Sequence, residues 1–197
     1  MSNPIPVNAE PTVIPANDGF TSAVEEWALP LDEEYLAEFI QYVFTKYWDQ
    51  VNFGPLIDGA SYEMTCPQAP TYFDLSNGFI TIACGTQHFH ICVGTGGWPV
   101  GDTRPARLPG KAVIFRRLDM KGAPISWGFE MFNSAGAPMI TIHFANPHAD
   151  LGDKLIKPPR WENLAMWRDI AKRYLNRDPE AFDETGEGYA DQMMDAS

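Results

Sequence analysis

Two of the chain's four histidines stand one residue apart in Gly85-Thr86-Gln87-His88-Phe89-His90-Ile91-Cys92-Val93-Gly94. On a β-strand, successive side chains point to opposite faces. His88, His90 and Cys92 then share one face, and Phe89, Ile91 and Val93 share the other. Two imidazoles leaving one strand face about 6–7 Å apart can converge on one ion. His88 and Cys92 are about 13 Å apart on a regular strand, so a third ligand has to come from another strand. His143 or Glu130 is the expected source. Three histidines with a carboxylate suit zinc or non-haem iron, and a Cys92 thiolate would favour zinc. With an open coordination position the ion could activate water or polarise a carbonyl. Glu130 then serves as a fourth ligand or as a catalytic general base.

A second group of residues could bind an anion. Arg104 and Arg107 sit in a loop bounded by Pro and Gly, and Arg116 and Arg117 end a strand. A guanidinium beside an ion would suit a carboxylate or phosphate group. The same arginines could instead pair with the acidic ends of the chain. Cys92 beside His90 could also be a reactive thiol, or simply a small buried residue. Cys66 and Cys84 belong to no Cys-x-x-Cys motif. Gly94-Thr95-Gly96-Gly97 lacks the Gly-Lys-Ser/Thr of a phosphate-binding loop.

The elements that position these groups follow from periodicity. Leu36, Phe39, Ile40, Val43, Phe44 and Tyr47 form one apolar stripe, predicting a helix from about Asp32 to Gln50, with Asp32 as its cap. Five strands are predicted at 79–83, 88–93, 112–118, 125–132 and 139–145, the last three joined by Asp119-Met120-Lys121-Gly122 and Asn133-Ser134-Ala135-Gly136 turns. Trp161, Leu164, Trp167, Ala171 and Tyr174 predict a final helix to Leu175. The expected fold class is α+β. An antiparallel meander of about five strands carries an N-terminal and a C-terminal helix packed on one face. Residues 31–177 are the expected domain. An extended arm (1–30) and an acidic tail (178–197) flank it.

Composition narrows the partners. The formal net charge is −12 over 197 residues. Residues 1–60 hold ten acids and one base, whereas thirteen of the fourteen Lys and Arg lie between Arg104 and Arg177. The overall sign argues against nucleic acid, while the basic middle suits a small anionic ligand. No apolar run is long enough to span a membrane, and three cysteines imply no disulfide framework. A soluble, cytoplasmic protein is expected.

The His88-Phe89-His90 strand with His143 resembles the three-histidine zinc site of alpha-type carbonic anhydrases, over three residues in a chain too short for that fold. His88, His90, Glu130 and His143 also resemble the cupin ligand set, although Glu130 follows the histidine pair by forty residues. Thr86-x-His88-Phe89-His90-x-Cys92-x-Gly94, with Ser126-Trp127-Gly128 and Asn146-Pro147, resembles an uncharacterised bacterial domain family over roughly residues 75–175. That last resemblance implies no activity. The leading expectation is a metal-binding domain acting in hydration, hydrolysis or lyase chemistry on a small anionic molecule. The alternative is a non-catalytic accessory protein that docks on a partner, or dimerises, through its acidic arms. Whether the chain is an enzyme stays open at this level.

Overall fold

A computed structural model of the chain describes residues 4–16, 18–57, 59–95 and 106–189. In chain order the strands are β1 (Thr12–Pro15), β2 (Thr21–Ala28), β3 (Asn52–Gly54), β4 (Leu56–Ile57), β5 (Ala60–Ser61), β6 (Tyr72–Ser76), β7 (Phe79–Cys84), β8 (Gln87–Cys92), β9 (Pro109–Asp119), β10 (Pro124–Asn133) and β11 (Pro138–His143). Helix α1 (Glu33–Lys46) follows β2, and helix α2 (Ala165–Leu175) follows a 3-10 turn at Trp161–Leu164.

The expected five-strand meander with terminal helices is not the fold. The chain is mostly β. A six-stranded sheet has the order β1-β2-β9-β10-β11-β3, and β6-β7-β8 form a separate three-stranded sheet. The histidine strand β8 therefore belongs to a different sheet from β9, β10 and β11. Local turns explain this. Asn77 and Gly78 adopt φ of 51° and 75°, and Gly85 adopts 67°, so β6, β7 and β8 fold on one another through two tight hairpins. The helices are not terminal elements either: two strands precede α1, and a structured segment follows α2.

The β9–β10 and β10–β11 connections use one device twice. The Asp119 carboxylate accepts from Lys121 N and Ala123 N, both at 2.8 Å. The Asn133 side-chain oxygen accepts from Ala135 N at 3.0 Å and Ala137 N at 2.9 Å. Each such turn satisfies backbone donors with a short polar side chain. Gly122 and Gly136 take the positive φ that follows, 82° and 83°.

The chain divides into two compact units. The first is Met1–Pro4, Leu29–Val113 and Glu130–Ile142, and the second is Ile5–Ala28, Ile114–Phe129 and His143–Ser197. In the first unit, Asp32 caps α1 by accepting from Tyr35 N at 3.0 Å. Leu36, Phe39, Ile40, Val43 and Phe44 are fully buried along one helix face. The Phe44, Phe53 and Phe89 rings close into a triangle, with centroids 4.7–5.2 Å apart. Such tilted and edge-on aromatic contacts add to the area they bury.

In the second unit, Trp27, Trp127, Trp167 and Tyr174 are buried. Arg116 lies among them with a side-chain exposure of 3%. Its guanidinium donates to Glu25 at 2.6 Å, Asp183 at 2.7 Å and Glu180 at 2.9 Å. The Asp183 carboxylate also accepts from Trp167 Nε1 at 2.9 Å and Trp127 Nε1 at 3.4 Å. Residues 177–189, within the acidic end of the chain, are thereby held down on their own unit. A second anchor is His148, whose ring meets Trp161 edge-on at 5.4 Å. A Cβ built on Gly188 would come within 2.8 Å of the His148 ring, so only glycine fits there without displacement.

Candidate functional site

The first unit holds a cleft of about 300 Å³. Phe53, Gly54, Pro55 and Met64 form one wall, Phe89, His90, Ile91 and Cys92 another, and Met139 and Ile140 complete it. Its lining residues are apolar except for His90, which is exposed, and Cys92. That composition, with one convergent polar group, is typical of small-molecule sites.

Each wall is placed by local structure. Phe53 and Met64 form an antiparallel bridge, with Phe53 N donating to Met64 O at 2.9 Å and Met64 N to Phe53 O at 2.8 Å. Gly54 permits the close approach of the returning chain: a Cβ there would fall 1.7 Å from the Tyr62 carbonyl oxygen. Phe89 turns its ring into the Phe44–Phe53 cluster. The β7–β8 register sets Thr81 directly opposite His90. Thr81 Oγ1 and His90 Nδ1 are 2.8 Å apart. That bond restrains the exposed His90 ring through Nδ1 and does not engage Nε2. With Nδ1–H donating to the threonine, Nε2 carries an open lone pair, the form in which imidazole ligates a metal or accepts a hydrogen bond.

The other predicted residues lie on several elements. His88 and His90 are both exposed, with ring centroids 5.3 Å apart. Cys92 is buried, and its thiol donates to the Gly94 carbonyl at 3.4 Å. Glu130 is half-buried on β10. His143 belongs to the second unit, whereas His88, His90 and Glu130 belong to the first. Burial, reinforced by the Arg117 charge, pushes the His143 imidazole down to about 4. Among the described residues, no group of three or more His, Cys, Asp or Glu side chains is placed to hold a metal ion. A zinc or non-haem iron site built from His88, His90 and His143 thus finds no support in the arrangement of these side chains.

Arg107 and Arg116 each meet groups of their own unit. Arg107 stacks over Phe79 at 4.7 Å. Arg116 is taken up by three carboxylates of its own chain; burial opposes its charge, but the bonds to Glu25, Asp183 and Glu180 outweigh that and raise its pKa. Arg104 lies outside the described residues. The apolar members of the cleft, Phe53, Met64, Met139 and Ile140, went unnoticed in the sequence. Each looks like an ordinary core residue, and their convergence depends on pairings far apart in the chain.

Comparison with known proteins adds the family. The profile of a family of unknown function, DUF7676, matches residues 11–176, most of the chain. The chain belongs to DUF7676. No curated protein matches this DUF7676 chain. Among solved structures it is similar to the heme-binding protein ChuX at 13% identity and a TM-score of 0.48, over 74% of this chain and 75% of that one. A further crystal structure of ChuX aligns at 15% identity and a TM-score of 0.47, over 74% of each chain. Neither likeness assigns a fold or a ligand to this chain. No helix among the described residues is long and apolar enough to cross a membrane.

Proposed function

We propose that the first unit is a small-molecule-binding domain, and that its cleft takes a flat, largely apolar ligand which His90 contacts through Nε2. One observation carries this reading: His90, an exposed residue whose ring bonds Thr81, borders a cleft whose other residues are mostly apolar, among them two phenylalanines and two methionines. Apolar walls supply affinity without direction, and the single nitrogen donor supplies orientation. Metalloporphyrins are the ligand class that would use both features. Apolar walls suit a macrocycle edge, and an imidazole with a hydrogen-bonded Nδ1 is a common ligand to a porphyrin's metal.

The test is titration with hemin and, separately, with metal-free protoporphyrin. Binding of hemin with a shifted Soret band, lost in His90→Ala, supports the reading in full. Equal binding of both compounds, unaffected by His90→Ala, keeps the cleft and removes the axial role. No binding of either at micromolar protein would overturn the porphyrin class.

The hydratase, hydrolase or lyase chemistry on a small anionic molecule is a narrower version, requiring a metal ion held through His90. Elemental analysis of untagged protein tests it: an ion at one per chain, absent from His90→Ala, would support it. A second reading is a protein-docking role. Strand β1 is an edge of the six-stranded sheet and leaves Val13 and Ile14 exposed, the kind of edge that pairs with another chain. Val13→Lys should reduce any self-association seen in sedimentation; an unchanged distribution removes β1 from consideration.

A further inference from the structure

Cys66 and Cys84 are 18 positions apart in sequence, and their Sγ atoms lie 2.7 Å apart in the first unit. Both are buried, with 6% and 2% of their surface exposed. Sulfurs in such contact need little backbone movement to bond, because the separation of their anchoring backbones is already set. Cys84 ends β7, next to the tight turn at Gly85, and Cys66 lies two residues beyond Met64. Between β5 and Cys66 the chain is exposed, from Tyr62 to Thr65.

We propose that Cys66 and Cys84 are a redox couple that forms an intramolecular disulfide, tying the Met64 wall of the cleft to β7. The oxidant class is a low-molecular-weight disulfide. The Cys66 thiolate attacks it, forming a mixed disulfide and releasing one small thiol. The Cys84 thiolate then attacks the Cys66 sulfur, forming the Cys66–Cys84 bond and releasing the second small thiol. Two protein thiols are oxidised by two electrons, one small disulfide is reduced, and the two protein protons end on the released thiols. Cys66 is the more exposed partner and so the entry point.

Burial pushes the Cys66 thiol up, and its hydrogen bond to Cys84 adds to this. Thiolate is therefore scarce in the closed state, and exchange depends on opening of the exposed segment before Cys66. Oxidation would join that segment to β7 and hold Met64 against Phe53. The pairing stands independently of what the cleft binds; its effect on ligand affinity rests on the cleft reading above.

The experiment refolds the reduced, denatured full-length chain in glutathione redox buffers, where burial does not limit access. Thiols are then alkylated in denaturant and counted by mass. The expected count falls from three to one as the buffer becomes oxidising, with the remaining label on Cys92 and a Cys66–Cys84 peptide in the digest. Cys84→Ser should lose that peptide. Three alkylated cysteines at every redox ratio, or pairing scattered among all three cysteines, would overturn the proposal. Hemin titration of the oxidised and reduced forms is a separate arm. The same affinity in both removes the coupling to the cleft and leaves the disulfide standing.

Discussion

The Arg116 guanidinium and the Asp183 carboxylate meet at 2.7 Å with almost no solvent on either side. Each also serves others: Arg116 binds Glu25 and Glu180, and Asp183 accepts from two tryptophans. Removing one member of such a group leaves the rest buried without partners. That costs more than the pair contributes relative to an apolar replacement. Asp183→Ala is expected to destabilise the chain by about 3–5 kcal/mol. Urea unfolding followed by tryptophan fluorescence checks it. A loss under about 1 kcal/mol, the range of an exposed ion pair, would show that the segment is not anchored there.

Acid should weaken the fold before it protonates ordinary carboxylates. Folded His143 is neutral down to about 4, whereas its ordinary pKa is 6.5. Between those values only the unfolded chain gains the proton, so stability falls as pH drops through that window and is unaffected above it. The full loss for this one group is on the order of 3 kcal/mol. Burial lowers His148 as well, which adds in the same direction. At lower pH, Glu180 follows. Burial raises its carboxyl, but bonds from Arg116 and Arg177 outweigh that and hold it below the usual range, so its contribution is lost as acid protonates it. Unfolding of wild type and His143→Gln at pH 7.5 and 4.5 tests this. The variant should lose less between the two; identical losses would rule out His143.

His88 and His90 should behave differently despite their spacing. His88→Ala is expected to change stability by less than about 0.5 kcal/mol, as exposed substitutions do, and to leave cleft binding intact. On the porphyrin reading proposed above, His90→Ala should abolish the hemin Soret shift. Equal effects of both substitutions on bound metal would point back to a shared ion.

Thr81→Val keeps the shape of β7 and removes the bond to His90 Nδ1. Loss of such an orienting partner costs about 10- to 100-fold in affinity at ligating histidines. Hemin affinity should fall within that range while the folded spectrum is retained. An unchanged affinity would mean that packing alone orients the ring.

Gly54→Ala should damage the cleft without touching its polar group. The added Cβ meets the Tyr62 carbonyl at 1.7 Å, so one backbone has to move. The Phe53–Met64 bridge is the nearest casualty. Loss of stability on the order of 1–3 kcal/mol is expected from such overpacking. Early exchange of the Phe53 and Met64 amides would locate it. Full protection of both amides would show that the wall yields elsewhere.

The helices were legible because each obeys one local rule. The Leu36 to Phe44 stripe and the Asp32 cap lie within fourteen residues, and α1 forms there, ending at Lys46. The stripe that predicts the final helix begins at Trp161, but the first four residues wind as a 3-10 turn with no side-chain cap. The turns at Asp119 and Asn133 were legible for the same reason, since a side chain and the backbone it binds are four positions apart or fewer. Strand pairing was not. Strands β1, β3 and β6 are short and weakly patterned, and hairpin closure at Asn77 and Gly85 took β8 out of the sheet that β9–β11 occupy.

Sequence by itself determined the local elements of this protein, from α1 and its cap to the alternation that sets His90 and Thr81 on strands that can pair. Tertiary structure alone decided which distant groups meet. Alternation places a side chain on a face but does not say which sheet that face belongs to. Hence Phe53, Met64, Phe89 and His90 come to line one cleft, Cys84 finds Cys66, and Asp183, in a run of acids that reads as solvated, is buried against Arg116. Those meetings depend on contacts across tens of residues, where packing and the pairing of buried charge outweigh any local preference.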